Sequence, residues 1–363
     1  MADHDFLIWT DIHIHPHKKS EQRLRDCLDT LEWVFRTAKE KNIKNILFGG
    51  DFFHDRSKID LLTCHETFVA MKKYLDGSLN LYMILGNHDL WFYEKSTVSS
   101  VTMLSSLPNV VIIDTPKSII IDDIKWHMIP FTHNPIESMK HLEDDIDSNT
   151  YMLGHLAVDG AKLNSSGSVS EVEIEHDGDM CKIDKSLFSK YKYGFLGHYH
   201  GYQILSNNLE YIGSPLQLSF GEANETKHIL HLKINGDKFS KNYIENTFSP
   251  RHYAGTFDEI KSVQKEHLEK AFISLITNSD DKNSIKEEVD LLQEMGIKTV
   301  KIKKVTNKND IENADVVQTS KAILENTETM VSEYVKHIKP DLDYEQLVII
   351  GKSIVSATTM EDE

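Results

Sequence analysis

Phe6-Leu7-Ile8-Trp9-Thr10-Asp11-Ile12-His13 carries four apolar residues straight into an aspartate and a histidine. A continuous apolar run of this length, followed by polar residues, reads as a strand. The pattern returns in NILFG (45–49), LYMIL (81–85), TYMLG (150–154) and YGFLG (193–197). Between the first two runs, Leu24, Leu28, Leu31, Phe35 and Ala38 recur at helical spacing, and Ser20 can cap that helix. Strand, helix, strand is the opening of a layered α/β sandwich, predicted over residues 6–201. From Asn208 to Leu232, short strands joined by turns at Gly213, Pro215 and Gly221 are expected to close the core.

The character changes after about residue 255. AFISLIT (271–277), SIKEEVDLLQEMG (284–296) and IKTVKIKKV (297–305) read as a small strand-helix-strand unit. Residues 307–319 are polar and aperiodic, as a linker is. Two amphipathic helices follow, one with Met330, Val331, Tyr334, Val335 and Ile338 on one face and Pro340 at its end, the other with Tyr344, Leu347, Val348 and Ile354. The expected organisation is 1–252, 253–306, 307–319 and 320–363.

At 363 residues and 40% hydrophobic, the chain is long enough for two or three units with a sizeable core. No run of about 18 apolar residues appears, and MADHDFLIW shows no basic stretch leading to a cleavage site, so a soluble, unexported chain with no membrane association is expected. Cys27, Cys64 and Cys181 are odd in number and far apart, which argues against a disulfide framework and fits a reducing cytoplasm, the host's if the source is viral. Forty basic against 57 acidic residues give a formal charge of −17, which disfavours nucleic-acid binding through bulk electrostatics. The 19 histidines are a high number for this length, and several stand beside aspartate or glycine at the ends of apolar runs.

Every one of the five strand-like runs ends on a metal-ligand type: Asp11 and His13; Gly50-Asp51; Gly86-Asn87-His88-Asp89; Gly154-His155; and His198 with His200. Ligands leaving the same sheet edge converge, and glycine lets backbone pass close to a bound ion. Imidazole, carboxylate and an amide oxygen suit Mn(II), Fe(II) or Zn(II) better than Ca(II). Alone, an Asp-x-His or a Gly-His is more often an ordinary cap or turn. All five in order, with Asn-His-Asp and His-x-His among them, are far more specific.

These motifs, DIH, GGD, GNHD, GH and GHYH, resemble the ordered motifs of the calcineurin-like metallophosphoesterase superfamily over residues 6–201. His54, shortly after Asp51, and the segment Tyr211-Ile212-Gly213-Ser214-Pro215 continuing to Ser219-Phe220-Gly221-Glu222 are similar to its SbcD-type nuclease branch. The resemblance implies a helix-flanked β-sandwich with a small α/β cap and C-terminal helices. It also implies two divalent ions, Mn(II) or alternatively Mg(II), Fe(II) or Zn(II). Asp11, His13 and His200 would hold one, Asn87, His155 and His198 the other, and Asp51 would bridge them. His88, held between Asn87 and an orienting Asp89, becomes the candidate proton donor, and His54 a phosphate contact. The implied partners are DNA, an SbcC-like ABC-type coiled-coil ATPase docking on residues 320–363, and a second copy of the chain. The roles implied lie in DNA repair, recombination or replication.

Other readings use the same residues. A phosphatase or small phosphodiesterase keeps the chemistry, although His54, the GSP segment and the extra C-terminal units argue against it; a metal-free scaffold would be expected to lack ligands, and none is missing. The chain has no Gly-x-x-x-x-Gly-Lys-Ser/Thr loop, so ATP use falls to a partner. His4, His15, His17, His65 and His127 read as surface or packing residues, with a supporting role open for His15 and His17. Lys298, Lys301, Lys303 and Lys304 fit either DNA backbone contact or protection of an edge strand. Leu61, Leu62, Phe68 and Met71 fit a dimer face or a core face equally.

Overall fold

The computed structural model of the chain describes residues 3–304, apart from 18–19, 57, 93–97, 163–182, 265–267, 269, 280, 296 and 298. The linker 307–319 and the helices of 320–363 expected above lie outside the described residues. Met1–Lys304 forms one compact unit.

β1 (His4–Trp9), α1 (Glu21–Glu40), β2 (Asn45–Phe48), α2 (Leu61–Tyr74), β3 (Asn80–Ile84) and β4 (Val110–Ile113) come first. The four strands run parallel, which the intervening crossovers permit. The Ser20 side chain accepts the Arg23 N–H at the start of α1, and Leu24, Leu28, Leu31, Phe35 and Ala38 are buried. A hairpin of β5 (Lys117–Ile121) and β6 (Ile124–Ile129) leads through a short helix α3 (Pro135–Met139) to β7 (Tyr151–His155) and β8 (Tyr193–Gly197). β9 (Gln203–Ser206), β10 (Leu209–Tyr211), β11 (His228–Asn235) and β12 (Lys238–Glu245) complete two six-stranded sheets, ordered β12-β11-β1-β2-β3-β4 and β5-β6-β7-β8-β10-β9.

Both sheets have a parallel centre buried on both faces, which is why their strands are continuously apolar rather than alternating. Residues of opposite parity face opposite layers. On β1, Leu7 and Trp9 join the core under α1, while Phe6 and Ile8 join the core between the sheets with Trp126, Met128, Leu153 and Phe195. Phe6 meets Trp126 edge-on at 5.2 Å between ring centres. Burying such side chains stabilises by about 1.5–3 kcal/mol each. The far face of the second sheet packs Ile129, Met152, Leu196 and Tyr211 into a third core. Residues 208–232 do close the sandwich, because β10 ends in one sheet and β11 enters the other.

A third sheet is parallel throughout: β13 (His252–Gly255), β14 (Phe272–Thr277) and β15 (Thr299–Lys304). The short helix α4 (Phe257–Lys261) lies between the first two strands and α5 (Lys282–Glu294) between the last two. Ile260, Ile273, Leu275, Leu292 and Ile297 form its own core. β14, α5 and β15 are the strand-helix-strand unit read from the sequence; β13 is an addition to it. On α2, Met71 is fully buried while Leu61 and Leu62 are 84% and 44% exposed, so these residues divide between core and surface. Among the described residues no helix is long and apolar enough to cross a membrane.

Candidate metal centre

β1, β2, β3 and β8 deliver their following loops, and β7 its last residue, to one edge of the sandwich, where the parallel strands of both sheets end. There the backbone is strained. Asp11, His13, Asp51 and His198 have φ of 53°, 46°, 60° and 106°. Non-glycine residues in this region cost about 1–3 kcal/mol each and persist only where their surroundings hold them. The holding groups are present. Asp11 N–H donates to the Gly50 carbonyl at 2.9 Å and His13 N–H to the Asp51 carbonyl at 3.2 Å. The fully buried Asp89 carboxylate accepts the backbone N–H groups of Asp51, Phe52 and Gly86, each at 2.9 Å. Asp89 therefore braces the two loops that carry Asp51 and Asn87. Its place beside His88 predicts that it orients that ring; its carboxylate oxygens are instead bonded to these backbone groups.

Three donor groups form. Asp11, His13 and His200 place ligand atoms within 4.8 Å of one another, as do Asp11, Asp51 and His155, and also His13, His54 and His88. The Asn87 side-chain oxygen lies 3.0 Å from His155 Nε2 and 3.1 Å from His198 Nδ1. Asp51 Oδ2 stands 3.4 Å from Nε2 of His13 and 3.4 Å from Nε2 of His155. One carboxylate oxygen thus faces both halves of the cluster. His155 donates Nδ1–H to the Gly49 carbonyl at 2.8 Å, and His200 donates Nδ1–H to Glu222 at 2.9 Å. Each ring is tied on its far side and turns Nε2 inward, where His200 Nε2 comes within 3.0 Å of His13 Nε2. Inward-facing nitrogens, carboxylate oxygens and an amide oxygen form a donor set that fits divalent cations.

The electrostatics divide the histidines of the cluster: without a cation, nearby carboxylates favour the imidazolium of His155 and His200, while burial favours the neutral ring of His13 and His198. Burial raises the Asp11 pKa, with Asp51 adding to the rise against the pull of His155. Burial alone would raise Asp51 too, but His155 and His88 hold it well below the usual carboxylate range. Burial disfavours the imidazolium of His155, yet Asp51 and Asp11 lift it to about 9. Burial keeps His13 well below the ordinary imidazole value and brings His198 down to about 3, leaving both neutral, as ligands must be.

His88 and His54 flank this cluster. The His88 backbone N–H donates to Asp51 Oδ1 at 2.8 Å, and its Nδ1–H donates to the His54 carbonyl at 2.6 Å. The rings of His54 and His88 stack at 5.6 Å. Burial, then the nearby His88, lowers His54 to about 4. His15 and His17 pack against His54, with ring centres at 5.1 and 5.7 Å, and His15 pairs with Asp55 at 3.1 Å. His127 is a satisfied core residue bonded to Tyr191 and Asp145. All nine residues singled out from the sequence gather here. Missed were the bracing role of Asp89 and a carboxylate-lysine pair behind His200, Glu222 and Lys227.

Glycine is required by space. A Cβ on Gly86 would lie 2.1 Å from Asp51 Oδ1 and 2.4 Å from its backbone nitrogen. Gly86→Ala is expected to cost about 1–3 kcal/mol through overpacking and to weaken Mn(II) binding by displacing Asp51. Gly201→Ala, whose Cβ would meet only Glu225 at 3.6 Å, should behave like the parent. Melting curves with and without Mn(II) check both; a Gly86→Ala chain with parental metal response would contradict the packing argument.

A two-sheet α/β sandwich with this histidine-aspartate edge is a metallophosphoesterase architecture. Residues 4–202 match the calcineurin-like phosphoesterase family, and the chain belongs to it. Divalent metal ions serve that family's chemistry, and the His/Asp groups described above are candidate sites for them. Among its relatives, Exonuclease subunit 1 of Enterobacteria phage T4 is 22% identical over 318 residues, 87% of this chain and 87% of that one. The D component of the SbcCD nuclease of Staphylococcus saprophyticus is 28% identical over 270 residues, 64% of this chain and 66% of that one. A dimetal phosphatase from Danio rerio is similar over 68% of this chain and 98% of that one, at 10% identity and a TM-score of 0.43.

Proposed function

We propose that this chain is a metal-dependent DNA nuclease that hydrolyses phosphodiester bonds, working as the nuclease subunit of an SbcCD-like complex. The observation that carries the two-metal part is Asp51 Oδ2, 3.4 Å from ring nitrogens on either side, one belonging with Asp11 and His200 and the other with Asn87 and His198. The names of the phage T4 and staphylococcal relatives, both components of nucleases or exonucleases, support DNA as substrate. Mn(II) is the proposed ion, on the mixed nitrogen and oxygen donor set.

Asp11, His13 and His200 would hold one ion, Asn87, His155 and His198 the other, with Asp51 shared. Bound divalent cations supply Lewis acidity, which lowers the pKa of water and offsets charge on the attacked phosphodiester. The chain's own residues do the rest. Asp89 and the loop hydrogen bonds keep the ligands where they are, so that little reorganisation accompanies the reaction. His54 contacts a non-bridging phosphate oxygen. Water gives one proton to solvent as its oxygen bonds to phosphorus; as the bond to the leaving sugar oxygen breaks, the sugar oxygen takes the proton carried on His88 Nε2, and the ring keeps the Nδ1–H that it donates to the His54 carbonyl. Residues 253–306 would act as a DNA-binding cap and 320–363 as the docking element for a coiled-coil ATPase. A second copy of the chain is the remaining proposed partner.

The purified chain with Mn(II) is expected to degrade linear DNA, to stop when the metal is chelated, and to change its rate when the co-encoded ATPase is added. Hydrolysis of small chromogenic phosphoesters alone, with DNA left intact both with and without the ATPase, would contradict the nuclease reading.

A further inference from the structure

We infer that Glu222 is a positioning residue for His200, clamped in turn by Lys227, so that the turn after β10 sets the orientation of one metal ligand. This rests on the assignment of His200 as a ligand and goes beyond it. Glu222 Oε1 accepts His200 Nδ1–H at 2.9 Å. Its other oxygen is held by Lys227 Nζ at 2.8 Å, the Ser214 hydroxyl at 3.2 Å and the Leu218 N–H at 3.3 Å. The side chains of Glu222 and Lys227 are 7% and 6% exposed, so the pair sits away from solvent screening.

The clamp also holds the His200 backbone. Lys227 Nζ donates to the His200 carbonyl at 2.9 Å, and Ser214 N–H donates to the same oxygen at 3.0 Å. Ring and carbonyl are therefore fixed by one segment, residues 214–227, and the ring has one way to face: Nδ1–H to the carboxylate, Nε2 toward His13. A carboxylate behind a ligating imidazole fixes its tautomer and raises its basicity, and removing such a partner typically weakens metal binding about 10–100-fold. Lys227 keeps Glu222 from swinging away, and it pairs as well with Glu225 at 2.7 Å, so a buried lysine is balanced by two carboxylates.

The test is a Mn(II) titration of the full chain and of Glu222→Gln, Glu222→Asp and His200→Ala, with melting curves taken on the metal-free proteins. Glu222→Gln should lower the metal-free melting temperature, because it leaves the buried Lys227 with one carboxylate fewer, and should lose about 10–100-fold in affinity for one of two ions while the other binds as in the parent. Glu222→Asp, which retains the carboxylate, should recover part of that loss, and His200→Ala should lose the ion altogether. If His200→Ala loses an ion while Glu222→Gln binds both at parental affinity, the positioning role is wrong. If His200→Ala itself binds both ions as the parent does, the ligand assignment beneath it is what fails. A Glu222→Gln chain that does not fold leaves the decision to Glu222→Asp: reduced affinity at unchanged melting supports the role, parental affinity overturns it.

Discussion

An Asp51→Ala chain is expected to bind neither of two Mn(II) ions at concentrations that saturate the parent, whereas Asn87→Ala should keep one. Asp51 Oδ2 faces a ring nitrogen of each donor group at 3.4 Å, while the Asn87 oxygen meets only His155 and His198. Removing the shared carboxylate takes away the negative charge that both positions need, and an amide ligand supplies none. Ligand binding at 100 times the dissociation constant stabilises the folded state by about 2.7 kcal/mol per site. The rise in melting temperature on adding Mn(II) should therefore vanish for Asp51→Ala and shrink by roughly half for Asn87→Ala. Cleavage of linear DNA should vanish with it. Asp51→Asn gives a gentler comparison, because it keeps the shape that fills the space beside Gly86 and an oxygen to accept the His88 backbone N–H. Metal analysis finding two ions in the Asp51→Ala protein would refute the bridging assignment.

What could be read in the sequence, and what could not, follows from where each residue sits. β1, β2, β3, β7 and β8 are covered on both faces, so each shows as an unbroken apolar run, and each hands its ligand to the same edge. The hairpin of β5 and β6 has no comparable signature in the sequence. β5 is only partly covered, with Ile120 71% exposed, and its turn is made by Asp122 and Asp123 at φ of 51° and 62°, where Asn-Gly would have announced a hairpin. Asp89 misled through its place next to His88. Residues 87–89 form a single 3-10 turn, in which neighbouring side chains point about 120° apart, and Asp89 turns inward to the backbone of Asp51. Glu222 belongs to a segment whose resemblance was noted, but its partner His200 is 22 residues away with no periodic relation, and only the crossing from one sheet to the other joins them.

Replacing His88 with serine should cut turnover on DNA by about a hundredfold to ten-thousandfold, the usual worth of a positioned general acid, while leaving fold, metal content and DNA affinity near parental. In barrier terms this is about 3–5 kcal/mol. The separation is expected because the tie between His88 and the metal centre runs through its backbone N–H to Asp51 Oδ1, which serine retains. What serine removes is the ring, whose Nδ1 is committed to the His54 carbonyl and whose Nε2 is the atom able to carry the proton. A substrate with a much better leaving group needs less protonation as its bond breaks and should partly rescue the variant. The structure also supplies the competing outcome. His13, His54 and His88 bring ligand atoms within 4.8 Å of one another, so an ion held by three imidazoles is a geometric alternative. In that case His88→Ser would lose a metal ion and a better leaving group would not help. Loss of an ion, or cleavage at the parental rate under saturating Mn(II), would remove His88 from the role of proton donor.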